Sequence, residues 1–236
     1  MPRKTKETWK IYANVFDNFT LRDIFKLSSQ GHFEAIKSPI ALGKEANIFS
    51  AEKEDGKFVI VKIYRLDNCN FNRMYDYLKT DPRFTKIKKG KRSVALLWVK
   101  REFKNLMKAR KAGVNVPTPI AVLDNIIVME LIGIDRETAF QLKDHYPKDP
   151  KDFLKKIIKN LKVMYKKAGL VHGDLSQFNI LNLNENPVFI DMSQATTIEN
   201  VRAEELLKRD IEIICRFFKK LNVRCDADRI IKEVKK

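Results

Sequence analysis

The sequence predicts an α+β fold in two parts, a strand-rich first half and a helical second half. Three observations lead there. Short β-branched runs bounded by turn residues occupy residues 40–131, apolar residues at helical spacing dominate from 153 onward, and the chain changes character at Ile132-Gly133. With 236 residues and 44% hydrophobic content, it can bury one large core or two small ones.

In order, residues 1 to about 37 read as a helical extension. Thr20 stands as N-cap before Leu21, Ile24, Phe25 and Leu27, Gly31 interrupts, and Phe33 and Ile36 resume the pattern. Residues 40–49, 58–64 and 126–131 read as strands, with Glu54-Asp55-Gly56-Lys57 turning between the first two. Segment 67–93 is polar and basic, contains Pro82 and Gly90, and is expected to be a mobile loop. An amphipathic helix over 95–112 closes at Gly113, and Pro117 and Pro119 break the chain before a strand around 120–122. Residues 133–150 form a connector with scope for a helix. Helices follow over 153–168, carrying Leu154, Ile157, Ile158, Leu161 and Met164, and over 204–221, carrying Leu206, Leu207, Ile211, Ile214, Phe217 and Phe218. The expected division is an extension at 1–37, a first lobe at 38–132 and a second lobe at 133–236. A nucleotide between two lobes fits that order.

Composition narrows the function classes. No apolar run is long enough to span a membrane, so a soluble, cytoplasmic protein is expected. Cys69, Cys215 and Cys225 are odd in number and lack paired-thiol spacing, which argues against a disulfide framework or a zinc site and for reduced thiols. The net charge is +17, and residues 62–111 hold 16 Lys/Arg against 4 Asp/Glu, or +12. A field of that size attracts a polyanion, RNA first, although a Lys-rich surface that is merely soluble carries a similar excess.

The densest chemistry lies in Val171-His172-Gly173-Asp174-Leu175-Ser176-Gln177-Phe178-Asn179, followed by Val188-Phe189-Ile190-Asp191. An Asp five residues before an Asn, with a second Asp closing an apolar run, is the spacing of a phosphoryl-transfer site. Asp174 would orient the attacking hydroxyl, and Asn179 and Asp191 would hold magnesium through oxygen. Any one of them alone reads as a turn or cap residue; the three at this interval do not. Lys62 sits inside the apolar run Val59–Tyr64, where a charge is costly unless it meets an anion. Such a lysine holds nucleotide phosphates and pairs with a Glu on the following helix, for which Glu102 is the candidate. Upstream, Gly43-Lys44-Glu45-Ala46-Asn47 offers one glycine for close backbone approach and Lys44 as a point charge. His172 is assigned packing rather than chemistry.

Two absences sharpen the picture. Gly173 stands where kinases regulated by loop phosphorylation carry an Arg, and about 13 residues after Asp191 leave no room for an activation loop. Ser176 replaces the Lys that commonly neutralises the transferred phosphate, so another cation, Lys44 being the candidate, would take that role.

With these residues in view, the chain resembles the RIO-type atypical protein kinases over most of its length. The matching pieces are Gly43–Asn47, Val61–Arg65, Asp81-Pro82-Arg83-Phe84, Trp98–Leu106, Gly113–Pro119, Val128–Gly133, His172–Asn179 and Ile190–Gln194. Asp81–Phe84 and the lack of a full winged-helix domain point to the subgroup without one. The chain departs from that subgroup with Ala41-Leu42-Gly43 in place of Ser-Thr-Gly, and His-Gly-Asp in place of His-Ala-Asp.

The resemblance implies a trimmed bilobal kinase fold with a β-rich N-lobe, a helical C-lobe and no activation loop. It implies Met129 as gatekeeper, with Glu130 offering its carbonyl and Ile132 both backbone groups to adenine. It further implies ATP with Mg2+ (or Mn2+) as cofactors and phosphorylation of Ser/Thr on a protein or on the chain itself. A role in small ribosomal subunit maturation follows, with pre-ribosomal RNA as partner, and Asp191 as a phosphate acceptor in ATP hydrolysis. Two other functions remain open: a small-molecule kinase of the same fold, or an ATP-sensing RNA-binding module with negligible catalysis. The first would need a larger acceptor-enclosing insertion than the roughly 20 residues after Gly133.

Overall fold

The computed structural model describes residues 16–66, 70–84, 87 and 90–236, so residues 1–15 of the expected extension and Cys69 lie outside it. The first element among the described residues is helix α1 (Asn18–Ser29), whose N-cap is Asp17 rather than Thr20. Thr20 is already inside the helix, and its backbone N–H donates to Asp17 Oδ1 at 2.7 Å. Phe33 and Ile36 do not resume a helix: the chain enters strand β1 (Ala35–Leu42), and both side chains bury against the sheet.

Strands β1, β2 (Ala46–Glu52), β3 (Phe58–Tyr64), β4 (Pro119–Leu123) and β5 (Ile126–Glu130) form an antiparallel sheet in the order β1-β2-β3-β5-β4. The single strand expected over 40–49 is thus two strands joined by a tight turn at 43–45. The period of two along β3 decides what each face does. Val59, Val61 and Ile63 pack with Ile24, Leu27 and Phe33 under α1, while Ile60 and Tyr64 join the larger core on the other face. Lys62 alternates with the first set and so projects to that other face.

Segment 67–93 is not simply a loop. Helix α2 (Phe71–Lys79) occupies its middle, with Asn70 accepting from Arg73 N at 3.2 Å and Met74, Tyr77 and Leu78 buried. Those three lie at helical spacing, but Arg73, Asp76 and Lys79 beside them mask the stripe. Helix α3 (Lys91–Lys111) begins four residues earlier than its apolar pattern.

After β5 the expected connector holds a small hairpin, β6 (Gly133–Ile134) with β7 (Glu137–Thr138), and no helix. Helix α4 (Pro150–Lys166) follows, capped by Asp149 with proline in its first turn. Short strands β8 (Leu170–Val171), β9 (Ile180–Leu183), β10 (Asn186–Phe189) and β11 (Thr196–Thr197) form two antiparallel pairs, the hairpin β9–β10 and the non-consecutive β8–β11. Helices α5 (Ala203–Lys220) and α6 (Ala227–Lys235) close the chain. The main apolar core is continuous from the sheet (Ile60, Met129) through α3 (Leu106) into the helical half (Ile157, Leu161, Ile214, Phe218).

The cysteine expectation is corrected. Cys215 and Cys225 form a disulfide with their Cα atoms 5.2 Å apart. The chain turns after α5 and returns Cys225 beside the helix, a proximity that counting thiols along the sequence does not expose. No helix among the described residues is long and apolar enough to cross a membrane.

Candidate functional site

A cleft of about 560 Å3 opens on the face of the sheet away from α1. That volume is in the range of small-ligand sites. Its walls bring together Gly43, Lys62, Glu102, Met129, Glu130, Ile132, Asn179 and Asp191. Two of the expected residues are elsewhere. Lys44 is exposed in the β1–β2 turn and does not line the cleft. Asp174 lies beyond its wall, joined to it through Asn179, whose Nδ2 donates to Asp174 O at 2.8 Å.

Lys62 Nζ donates to Glu102 Oε1 at 2.8 Å and to Asp191 Oδ1 at 3.0 Å. Burial alone would lower its pKa, but the charges of Asp191 and Glu102 raise it above the ordinary lysine value, so it stays cationic. Burial likewise works against Asp191, yet the Lys62 charge and hydrogen bond bring its carboxyl down to about 2. Glu102 sits deepest. Burial pushes its carboxyl up against the pull of Lys62, and the nearby Asp191 charge pushes the same way. Tyr64 Oη donates to the other Glu102 oxygen, a partner with no motif to reveal it.

Asp191 adopts a left-handed backbone (φ 58, ψ 67) at the start of a 3-10 turn, Met192–Gln194. A non-glycine residue persists there only where the surroundings hold it. Here α3 holds it: Asn105 Nδ2 donates to Met192 O at 2.8 Å and Ala195 O at 2.7 Å, and Arg101 Nη1 donates to Ser193 O at 2.6 Å. Arg101 is itself buried against Asp81, which also pairs with Arg83. In sequence Arg101 looks like one more surface cation of a basic helix. Among the described cations of 62–111, Lys62 and Arg101 are in fact interior.

The Asp174 loop is fixed from behind. Asp210 of α5 accepts from Gly173 N at 2.7 Å and Leu175 N at 3.0 Å, while Arg209 donates to Gly173 O. Burial pushes the Asp210 carboxyl up to about 7, against those two amides. Gly173 is required twice over: its φ is 77°, and a Cβ would meet Gln194 O at 2.9 Å. His172 is fully buried, its Nε2 donating to Ile190 O at 3.1 Å; burial brings its pKa to about 4, so it is neutral.

Gly43 is tight for a different reason. Its N donates to Ala46 O at 3.0 Å, and a Cβ would lie 2.8 Å from that oxygen. On the linker, Glu130 turns its carboxylate to Thr118, accepting from N at 2.9 Å and Oγ1 at 2.6 Å. Ile132 O accepts from Ala139 N at 2.8 Å.

The donor set suits a hard cation held with phosphates. Asn179 spends its Nδ2 on Asp174, which leaves its Oδ1 available, and Asp191 presents an ionised carboxylate in the same cleft. Two oxygen ligands of this kind are what magnesium takes from protein when phosphates supply the rest.

The family model for the RIO domain matches residues 47–230. The chain belongs to the RIO family. It is 40% identical over 230 residues to the RIO-type serine/threonine-protein kinase Rio1 of Haloferax volcanii, covering 98% of this chain and 79% of that one. It is 37% identical over 233 residues to Rio1 of Methanocaldococcus jannaschii, with the same coverage. Among solved structures it resembles the Rio2 kinase–ADP/Mg2+–phosphoaspartate complex from Chaetomium thermophilum, with TM-score 0.63 and 25% identity over 85% of this chain. It spans 60% of that Rio2 chain. Membership makes it an enzyme of the serine/threonine protein kinase class with a trimmed kinase fold.

Proposed function

We propose that this RIO protein uses ATP with magnesium, or manganese in its place, to phosphorylate a serine or threonine hydroxyl, on a protein acceptor or on itself. The observation that carries the reading is the single cleft shared by the Lys62–Glu102–Asp191 ion cluster, Asn179 and the Met129–Ile132 linker. Lys62, held cationic, takes the phosphates. Met129, Glu130 and Ile132 border the base, Gly43 lets the turn backbone approach, and Asn179 and Asp191 hold the metal. When bound, the ion neutralises phosphate oxygens and aligns the terminal phosphate. Asp174 orients the acceptor hydroxyl and receives its proton.

A second use of the same site has its own support. The Asp191 carboxylate is ionised, and the Rio2 relative was solved as a phosphoaspartate complex. Attack of that carboxylate on the terminal phosphorus, with ADP leaving, gives an acyl phosphate that water then hydrolyses, which is ATPase activity. The partner we propose is a small-subunit pre-ribosome. Support comes from the +12 carried by residues 62–111, most of whose cations are not consumed inside the fold. Incubation with γ-labelled ATP, followed by acid-stable and hydroxylamine-sensitive label counting, separates the outcomes. Acid-stable label on Ser/Thr supports the kinase, hydroxylamine-labile label the Asp191 route, and neither defeats both.

A further inference from the structure

Gln194, at the end of the 3-10 turn, joins α2 to Asp174. Its Oε1 accepts from Arg73 Nη2 at 2.9 Å and Tyr77 Oη at 3.0 Å, and its Nε2 donates to Asp174 Oδ2 at 2.8 Å. A guanidinium only donates and an ionised carboxylate only accepts, so no flipped amide satisfies both ends. Asn179 Nδ2 reaches the same Asp174 oxygen at 3.5 Å. Among the described residues, no donor engages Asp174 Oδ1. Among those residues the carboxylate is therefore held by one oxygen and unengaged at the other.

The far end of this chain of contacts is firmly seated. Met74, Tyr77 and Leu78 bury α2 in the main core, and Asn200 Nδ2 ties its last turn through Thr80 O at 2.9 Å. Arg73 is exposed and brings positive charge to the acceptor side, where Ser176 stands in place of a loop lysine. Arg209, the other cation near Asp174, is committed to the Gly173 carbonyl.

We propose that Gln194 is a positioning residue for phosphoryl transfer: it clamps Asp174 by Oδ2 so that Oδ1 is presented to the acceptor hydroxyl, and α2 sets the clamp through Arg73 and Tyr77. This rests on the reading of Asp174 as the hydroxyl-orienting carboxylate. A rotatable carboxylate spends its time in unproductive orientations, and fixing one rotamer removes that loss from the barrier. The clamp acts on the acceptor side, so it changes turnover and not nucleotide affinity.

The test is steady-state transfer from γ-labelled ATP to casein and to the chain itself, using the full chain and the variants Q194A, R73A and R73A/Q194A. Q194A is expected to lower kcat roughly 10- to 100-fold while KM for ATP moves less than about twofold. R73A lowers kcat by a smaller factor, and the double variant is no worse than Q194A, because Arg73 acts through Gln194. An unchanged kcat in Q194A, or losses that multiply in the double variant, overturns the clamp. If Q194A also lowers the melting temperature, R73A carries the test, since its side chain is in solvent. Wild-type protein that binds ATP and transfers nothing defeats the transfer reading and the clamp with it. Normal wild-type transfer with an unaffected Q194A defeats the clamp alone.

Discussion

Lys62 and Asp191 are 129 residues apart in sequence, yet the lysine Nζ lies 3.0 Å from the Asp191 carboxylate. The same ammonium group reaches Glu102, so one buried cation binds the sheet, α3 and the start of the 3-10 turn together. The contact couples stability to function, because the groups that would handle nucleotide and metal also hold the two halves of the chain in register.

Replacing Lys62 with alanine therefore acts on both. It strands Glu102 in the interior with Tyr64 as its remaining partner. Removing one partner of a buried pair costs about 3–5 kcal/mol, and uptake of a proton by Glu102 moderates that loss. Urea denaturation of Lys62→Ala should show a clear drop in midpoint, and a fluorescent ATP analogue should bind at least tenfold more weakly, a loss of about 1.4 kcal/mol. Unchanged stability together with unchanged affinity would remove Lys62 from the centre of the account.

Asn105 should matter for turnover although it lies outside the cleft. Its amide satisfies two backbone carbonyls that shape the turn after Asp191. Asn105→Ala removes that donor from both; Met192 O keeps Ala195 N at 3.2 Å, so the cost of about 1–3 kcal/mol falls mainly on Ala195 O. The turn loosens, so metal-dependent transfer should fall further than nucleotide binding does. Equal losses in the two measurements would assign Asn105 to stability alone.

His172 provides a pH test whose sign is fixed by burial. Its pKa is about 4 in the folded chain against an ordinary 6.5. The unfolded chain binds the proton more readily, so the contribution of neutral His172 is complete above pH 6.5 and is lost as pH falls toward 4. Asp210, pushed up to about 7, titrates in the opposite sense, so the comparison must be between variants. His172→Asn keeps a side-chain donor for Ile190 O and should flatten the stability loss between pH 6.5 and 5 relative to wild type. An identical slope in both proteins would show that His172 is not the titrating group.

What could be read from sequence follows physical rules. The buried strand Phe58–Tyr64 and the stripes of α4 and α5 were legible because apolar periodicity is a local property. Fixed intervals between residue types pointed to Asp174, Asn179 and Asp191, of which Asn179 and Asp191 line one cleft and Asp174 lies just beyond its wall. Helix α2 was hidden because its buried residues are few and its exposed ones are charged. Arg101, Asn105, Gln194 and Asp210 were hidden because their partners are 20 to 121 residues away, and nothing local separates a buried polar residue from a solvated one. The Cys215–Cys225 bridge was missed for the same reason, since the turn that closes it is made by packing.

The most direct test is the rate of phosphate transfer from γ-labelled ATP by wild type and Asp174→Ala, measured with magnesium at saturating nucleotide. Wild type should transfer phosphate, and Asp174→Ala should lose roughly 100-fold or more of that rate with nucleotide affinity retained. Equal transfer by the two proteins would contradict it.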